Sequence, residues 1–382
     1  MKIYRYPLAR LGILGGGQLG KMMAQKAKKM GFYVTVLDPT PEAPAAQVSD
    51  KQIIGDFHDA EKIRELVEQS DVTTYDLEHV NTKALKRLLK EGHRIYPSPD
   101  LLETIQDKFK QKEMLARLGA PLPKFRKVKT TEELSSFGFP VVQKACKGGY
   151  DGRGVVVLKS QEDVEKALPG ETYIEEFVEF EKELAVIVAR GINGERKVYP
   201  VVEMVFDERA NICDLVIAPA RIDKNLAEEA QKIAINIAEK LEIVGVLAVE
   251  MFLTKDKRVL VNELAPRPHN SGHYTIEACA TCQFEQHVRA IAGLPLGSTK
   301  LLSPAVMINL LGEEGFEGPP LIEGLEEALS ISGLSFHFYG KKITKPFRKM
   351  GHVTIVDDDL EKAIETVEKV KKFLKIKAEG KA

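Results

Sequence analysis

The stretch Lys144-Ala-Cys-Lys147-Gly148-Gly149-Tyr150-Asp151-Gly152-Arg153-Gly154 places four glycines in seven residues between basic side chains, directly after the apolar run Val141–Lys144. A strand that ends on a lysine and enters such a loop predicts backbone N–H groups folded over phosphate oxygens, with Lys144 and Lys147 adding charge beside them. A bare hairpin turn has no need of the basic residues. Downstream, Glu175-Glu176-Phe177-Val178 closes another predicted strand. Its edge can hydrogen-bond an adenine while Phe177 or Val178 packs on the ring, and Glu183 can take ribose hydroxyls. Glu250 and Glu263 fall on the predicted strands Val246–Leu253 and Arg258–Glu263, turned at Lys255-Asp256-Lys257. If these strands pair, two carboxylates meet at one spot with Asn262 alongside. A divalent cation such as Mg2+ explains that pair better than a surface hairpin, because two close carboxylates without a cation repel.

Towards the N-terminus the chain alternates strand and helix: strand Arg10–Leu14, helix Leu19–Met30, strand Tyr33–Leu37, helix Asp59–Gln69, strand Val72–Tyr75 and helix Thr82–Glu91. This order predicts an α/β unit with a parallel sheet. Gly15-Gly16-Gly17-Gln18-Leu19-Gly20 fits G-x-G-x-x-G, and Asp38 lies where a ribose-binding acid would sit. The physical content is narrower than a nicotinamide site: a tight turn and a helix N-terminus open to an anion. With the rest of the chain read, the turn is expected to wall a substrate pocket through Gly17, Gln18 and Leu19. Past residue 100 the pattern changes to a helix over Leu101–Leu118, a break at Gly119-Ala-Pro-Leu-Pro123, and strands at Val155–Leu158, Tyr173–Phe177 and Leu184–Arg190. Helices are expected at Leu226–Leu241 and Leu360–Leu374.

Composition excludes several classes. Among 382 residues, 55 Lys+Arg nearly cancel 56 Asp+Glu, which argues against a nucleic-acid binder. The longest apolar runs, Leu184–Ala189 and Ile243–Val249, are too short to span a bilayer, so no membrane association is expected. Four cysteines make no disulfide scaffold and point to a reducing cytoplasm. Cys279 and Cys282 form a lone CxxC within a predicted helix, Thr275–Val288, and are read as packing residues.

Asp107-Lys108, the break at Gly119, Lys144, the loop through Gly154, Glu175–Val178, Glu183, Glu250 and Asn262-Glu263 occur in the order of the ATP-grasp enzymes, which the chain resembles. The run Asn262-Glu263-Leu-Ala-Pro-Arg267-Pro-His269-Asn270-Ser271-Gly272-His273 narrows the match. With Ala305–Gly312 and Arg348-Lys349-Met-Gly-His352, it resembles the N5-carboxyaminoimidazole ribonucleotide synthetase family. The resemblance implies a Rossmann-like pre-ATP-grasp domain (1–103), an ATP-grasp domain (104–295) and a small C-terminal domain (296–382). It implies a cytoplasmic homodimer of purine synthesis that uses ATP to phosphorylate bicarbonate and carboxylates 5-aminoimidazole ribonucleotide. It assigns ATP contacts to Lys108, Lys144, Gly149, Tyr150, Asp151, Gly152, Arg153, Gly154, Glu175, Glu176, Phe177, Val178, Glu183, Asn262 and Glu263, and Mg2+ to Glu250 and Glu263. Relatives often carry Arg at position 108; Lys keeps the charge without the guanidinium fork. Phe206 stands roughly where some relatives place a histidine near the nucleotide.

Beside the metal carboxylates, Arg267, His269, Asn270 and His273 suit contact with bicarbonate or the amine acceptor. Arg267, His273, Tyr150, Asp151 and Arg153 are expected to act in catalysis, the last three on a loop that closes over the intermediate. Lys341, Arg348 and Lys349 are expected to clamp the ribonucleotide phosphate. Biotin carboxylase and formate-dependent glycinamide ribonucleotide transformylase are the nearest alternatives, and the run through His273 favours the aminoimidazole acceptor.

Overall fold

Leu11, Ile13 and Leu14 are fully buried, so β1 (Arg10–Leu14) has no face for water and belongs in the middle of a sheet. The computed structural model describes residues 6–379 except 129, 131, 132, 135, 149–153 and 208–211. It places β1 between β2 (Tyr33–Asp38) and β4 (Val72–Tyr75), with β3 (Lys51–Ile54) outside β2, all parallel. Helices α1 (Gln18–Lys29), α2 (Ala60–Glu68) and α3 (Thr82–Lys90) cover this sheet. Asp59 and Asn81 cap the second and third by accepting backbone N–H bonds.

The single helix expected over Leu101–Leu118 is two, α4 (Pro99–Ile105) and α5 (Lys108–Arg117). Asp107 is the physical reason: its carboxylate accepts from Lys110 N at 3.1 Å and starts a new helix. A four-stranded sheet follows, in the order β5 (Phe125–Val128), β8 (Thr172–Glu176), β6 (Val141–Ala145), β7 (Val155–Leu158).

The main sheet holds nine strands among the described residues, and every pairing in it is antiparallel. Its core is β9 (Phe180–Arg190), with β10 (Arg196–Val198) on its flank, β11 (Val202–Asp207) and β12 (Ile212–Ala218) to one side, and β13 (Gly245–Thr254) and β14 (Val259–Ala265) to the other. α6 (Lys224–Lys240) buries Ala230, Ala234 and Ile237 against one face. The helix expected over Thr275–Val288 is also broken, into α7 (Thr275–Ala278) and α8 (Gln283–Ile291). The break falls on the CxxC; both cysteines are free and buried, and Cys282 caps α8.

The sheet does not stop at residue 295. β15 (Ala305–Leu311) pairs with β12, and β18 (Lys349–Val356) with β15, so the C-terminal part completes the central one. β16 (Pro320–Glu323), α9 (Leu325–Leu329), β17 (Leu334–Phe338), α10 (Leu360–Phe373) and β19 (Lys375–Ala378) finish this part, with β17 on the free edge of β18. α8 docks the N-terminal sheet: Phe284, Val288 and Ile291 pack with Met22, Met23 and Ala27 of α1. Between them His287 is fully buried, its Nε2 2.8 Å from Thr74 Oγ1 and its Nδ1 accepting from Val246 N. Burial lowers this imidazole to about 3, so it bridges the two parts as a neutral group. Among the described residues no helix is long and apolar enough to cross a membrane.

Candidate active site

A cleft of about 760 Å³ opens where the three parts meet. Gly17, Gln18 and Leu19 line it from the N-terminal part, and Lys349 from β18. Lys108, Lys144, Lys147, Glu175–Val178, Glu183, Glu250, Asn262, Glu263, Arg267, His269, Asn270 and His273 line it from the centre.

Glu250 and Glu263 are direct partners across the β13–β14 ladder. The register then slips: Met251 pairs with Val261, leaving Asn262 as an extra residue. In a regular strand Asn262 and Glu263 would point to opposite faces. The bulge returns Glu263 to the side of Asn262, and both reach the cleft while Val261 stays in the core. Lys108 forms an ion pair with Glu263. Burial and the adjacent Glu263 push the Glu250 carboxyl well above the usual range, whereas Lys108 holds Glu263 below it despite burial. A pair of hard oxygen donors, one deterred from ionising by the other, suits Mg2+.

Lys144 donates to Asn262 Oδ1 at 3.1 Å and lies 2.8 Å from Glu175, which also meets Lys112 at 3.0 Å. Two cations therefore share one anion. Burial favours the neutral acid, yet the lysines hold Glu175 at about 2. Burial outweighs the attraction of Glu175 for Lys112, and with Lys144 repelling it lowers Lys112 to about 8. Glu175 thus anchors lysines, while Glu176, Phe177 and Val178 beyond it line the cleft. Burial raises Glu183, also in the wall, to about 7.

The glycine-rich loop after β6 is described at its ends. Gly148 (φ +76°) and Gly154 (φ +74°) both take the left-handed backbone conformation, and Gly154 O accepts from Ala145 N at 2.8 Å. Gly149, Tyr150, Asp151, Gly152 and Arg153 lie outside the described residues.

The acidic residues near the first glycine turn hold it together. Asp38 accepts from Gly16 N and Thr40 N, each at 2.8 Å, and Asp76 accepts from Gly20 N at 2.9 Å. Asp38 is the residue the fingerprint offers for a ribose; here it caps the turn. A Cβ at Gly15 would lie 1.6 Å from Asp76 Oδ1, so this turn has no room for a side chain.

On the acceptor side, Arg267 pairs with Glu78 at 2.7 Å and donates to Pro268 O, while its buried Nε has no hydrogen-bond partner. His269 Nδ1 accepts from Ser271 N, which directs Nε2 at Glu250, 3.2 Å away. Asn270 and Asn309 exchange amide hydrogen bonds at 2.8 and 2.9 Å. His273 is 1% exposed, and burial keeps it neutral. Its ring packs on Phe284 and His352, and its Nδ1 meets Gln283. Lys349 reaches the cleft lining; Arg348 instead donates to Ile343 O, and Lys341 to Lys349 O.

Sequence reasoning missed Glu78, Lys112 and Gln283. Gln283 accepts from His269 N and donates to His269 O, setting the acceptor run from ten or more residues downstream. Glu78 sits in the polar stretch Asp76-Leu-Glu-His79 after β4, the carboxyl end of a parallel strand, where such sheets carry their ligands.

The chain matches three family descriptions: a ribonucleotide synthetase preATP-grasp domain over residues 8–106, an ATP-grasp domain over 113–284, and a phosphoribosylaminoimidazole carboxylase C-terminal domain over 305–366. It is 44% identical over 359 residues to the N5-carboxyaminoimidazole ribonucleotide synthase of Bacillus subtilis, covering 92% of each chain. The crystal structure of N5-carboxyaminoimidazole ribonucleotide synthetase from Thermotoga maritima is similar with a TM-score of 0.92 and 60% identity, covering 97% of this chain and 100% of that one. The Aspergillus clavatus synthase, solved in complex with ADP and 5-aminoimidazole ribonucleotide, gives 0.87 and 36%, with 95% and 98% covered.

Proposed function

The chain belongs to the N5-carboxyaminoimidazole ribonucleotide synthase family of ATP-grasp ligases and catalyses the ATP-dependent carboxylation of 5-aminoimidazole ribonucleotide in purine biosynthesis; we propose that bicarbonate supplies the carbon and that the cleft residues divide the work as follows from their chemistry. A bicarbonate oxygen attacks the γ-phosphorus of ATP, ADP leaves, and carboxyphosphate forms. The exocyclic amine then attacks its carbonyl carbon as phosphate departs with the C–O bond electrons, or captures the CO2 left after that departure, and the proton the amine loses passes to the released phosphate.

The observation that carries this reading is the pairing of Glu250 with Glu263 directly beside Lys108, Lys144 and the Arg267–His273 run. Glu250 and Glu263 would hold Mg2+, which when bound neutralises phosphate oxygens during transfer. Lys144 and Lys108 place positive charge at the phosphates, and the glycine loop, with Tyr150, Asp151 and Arg153, covers the intermediate against water. Glu176, Phe177 and Val178 receive the adenine and Glu183 the ribose. Arg267, with an unsatisfied Nε, binds the bicarbonate-derived anion, and His269 and Asn270 orient the acceptor. His273 supports these groups as a neutral imidazole. Lys349 draws in the ribonucleotide phosphate opposite Gly17, Gln18 and Leu19, while Lys341 and Arg348 brace its segment through backbone carbonyls. A cytoplasmic homodimer completes the proposal, in keeping with four free, buried thiols and the family resemblance.

The test is ADP release with bicarbonate and aminoimidazole ribonucleotide each supplied and withheld. Full release is expected only with both; release indifferent to bicarbonate overturns the carbon source. Glu263→Gln should lower turnover on the order of 10²-fold or more, by loss of charge stabilisation in phosphoryl transfer.

A further inference from the structure

Packed on His273, and absent from the cleft lining, is a second group of ligand-type side chains to which the carboxylation assigns no role. Glu277 on α7 and His337 and His352, cross-strand partners on β17 and β18, each offer a ligand atom within 4.8 Å of the others. His337 Nε2 is 2.7 Å from Glu277 Oε1, and the two imidazoles stack with centroids 4.3 Å apart. Two polar atoms here are buried without a hydrogen-bond partner: Glu277 Oε2 and His352 Nε2. Such orphans carry an unrelieved desolvation cost and call for a ligand. His352 is 0% exposed, and Tyr339 Oη lies 3.0 Å from its Nδ1. That contact fixes the ring and leaves Nε2 as the free donor, the arrangement by which a metal-ligating histidine is oriented through its other nitrogen. His337 and Glu277 keep 26% and 16% side-chain exposure, which provides an entry path.

We propose that Glu277, His337 and His352 bind a divalent transition-metal ion, with Zn2+ as the natural occupant of a two-imidazole, one-carboxylate set. Tetrahedral Zn2+ with ligands at 2.0–2.2 Å needs donor atoms about 3.3 Å apart, so the widest pair closes by up to about 1.5 Å, Glu277 and His337 part slightly, and the stacked rings tilt to aim both nitrogens at one ion. Nε2 of His337 gives up the proton it shares with Glu277, and Nδ1 takes it. Burial already keeps His352 neutral, as a ligand must be. The ion would tie α7 of the central part to the β17–β18 hairpin of the C-terminal part, three residues from Lys349. The Mg2+ carboxylates, Glu250 and Glu263, belong to a different, oxygen-only set.

The test uses the metal-stripped full chain dialysed against Zn2+ in excess Mg2+, which keeps the cleft carboxylates occupied. One Zn2+ per chain is expected, with a raised melting temperature, and Co2+ in its place should give the visible bands of a nitrogen-ligated tetrahedral ion. His337→Asn and Glu277→Gln, chosen because both side chains reach solvent, should each weaken Zn2+ binding at least about tenfold and remove the Co2+ bands. Failure of the wild-type chain to retain Zn2+, or retention that His337→Asn leaves unchanged, overturns the site.

Discussion

Glu175 carries more of this site than its position in a strand suggests. Among the described residues it is the one anion in the ion pairs joining Lys112, 2% exposed, to Lys144. Removing one member of a buried ion pair leaves an uncompensated charge and costs about 3–5 kcal/mol. Glu175→Gln should therefore destabilise the chain by roughly that amount in urea unfolding at pH 7. The pH dependence has a definite sign. The folded pKa of Glu175, about 2, lies below its ordinary value of 4.5, so its stabilisation is present above 4.5 and is lost as pH falls towards 2. The variant should lose stability less steeply than the wild type across that window; parallel curves would mean that Glu175 is not held by its lysines. Gly272 shows a different single-residue constraint: a Cβ there would meet Gln283 Oε1 at 2.4 Å, the atom that positions His269 N.

The β13–β14 hairpin gives a sharper test at the level of an element. If the bulge serves only to add Asn262, then deleting that residue restores a regular ladder with Glu263 still opposite Glu250. The shortened chain should fold, with a melting curve close to wild type, and show a raised KM for ATP through loss of the Lys144–Asn262 contact. Unfolding on deletion would show that the bulge is needed for the sheet itself. Much of the element order was legible in sequence, because 3.6-residue apolar periods marked α1, α2, α3 and α10, and a continuous apolar run marked β9, to within a few residues. The carboxylate pair was legible too, since two strands joined by a three-residue polar turn have few ways to pair. Breaks inside apolar-periodic stretches were not. Asp107 and Cys282 start new helices by capping, a local hydrogen bond that leaves the hydrophobic period almost undisturbed. Nor was the partner of Arg267: Glu78 is 189 positions away, and tertiary packing, with α8 on α1 and His287 on Thr74, brings the two parts together.

For the whole molecule, the sheet that runs from β14 to β17 makes the C-terminal part a wall of the active site. Lys349, at the start of β18, is its reach into the cleft. Lys349→Ala should raise the KM for aminoimidazole ribonucleotide at least about tenfold, as loss of a charge-assisted contact to phosphate predicts, while the KM for ATP stays near wild type. An equal rise in both would remove the phosphate-clamp role. The continuity of the sheet also has a consequence in time. During synthesis the nucleotide loop, the carboxylate hairpin and the acceptor run through His273 leave the ribosome first. At 5–20 residues per second Lys349 follows roughly 4–15 s later. Until β15 and β18 arrive, β12 has an open edge and the cleft lacks one wall, so a growing chain holds the parts that engage ATP before it holds the part that admits the acceptor.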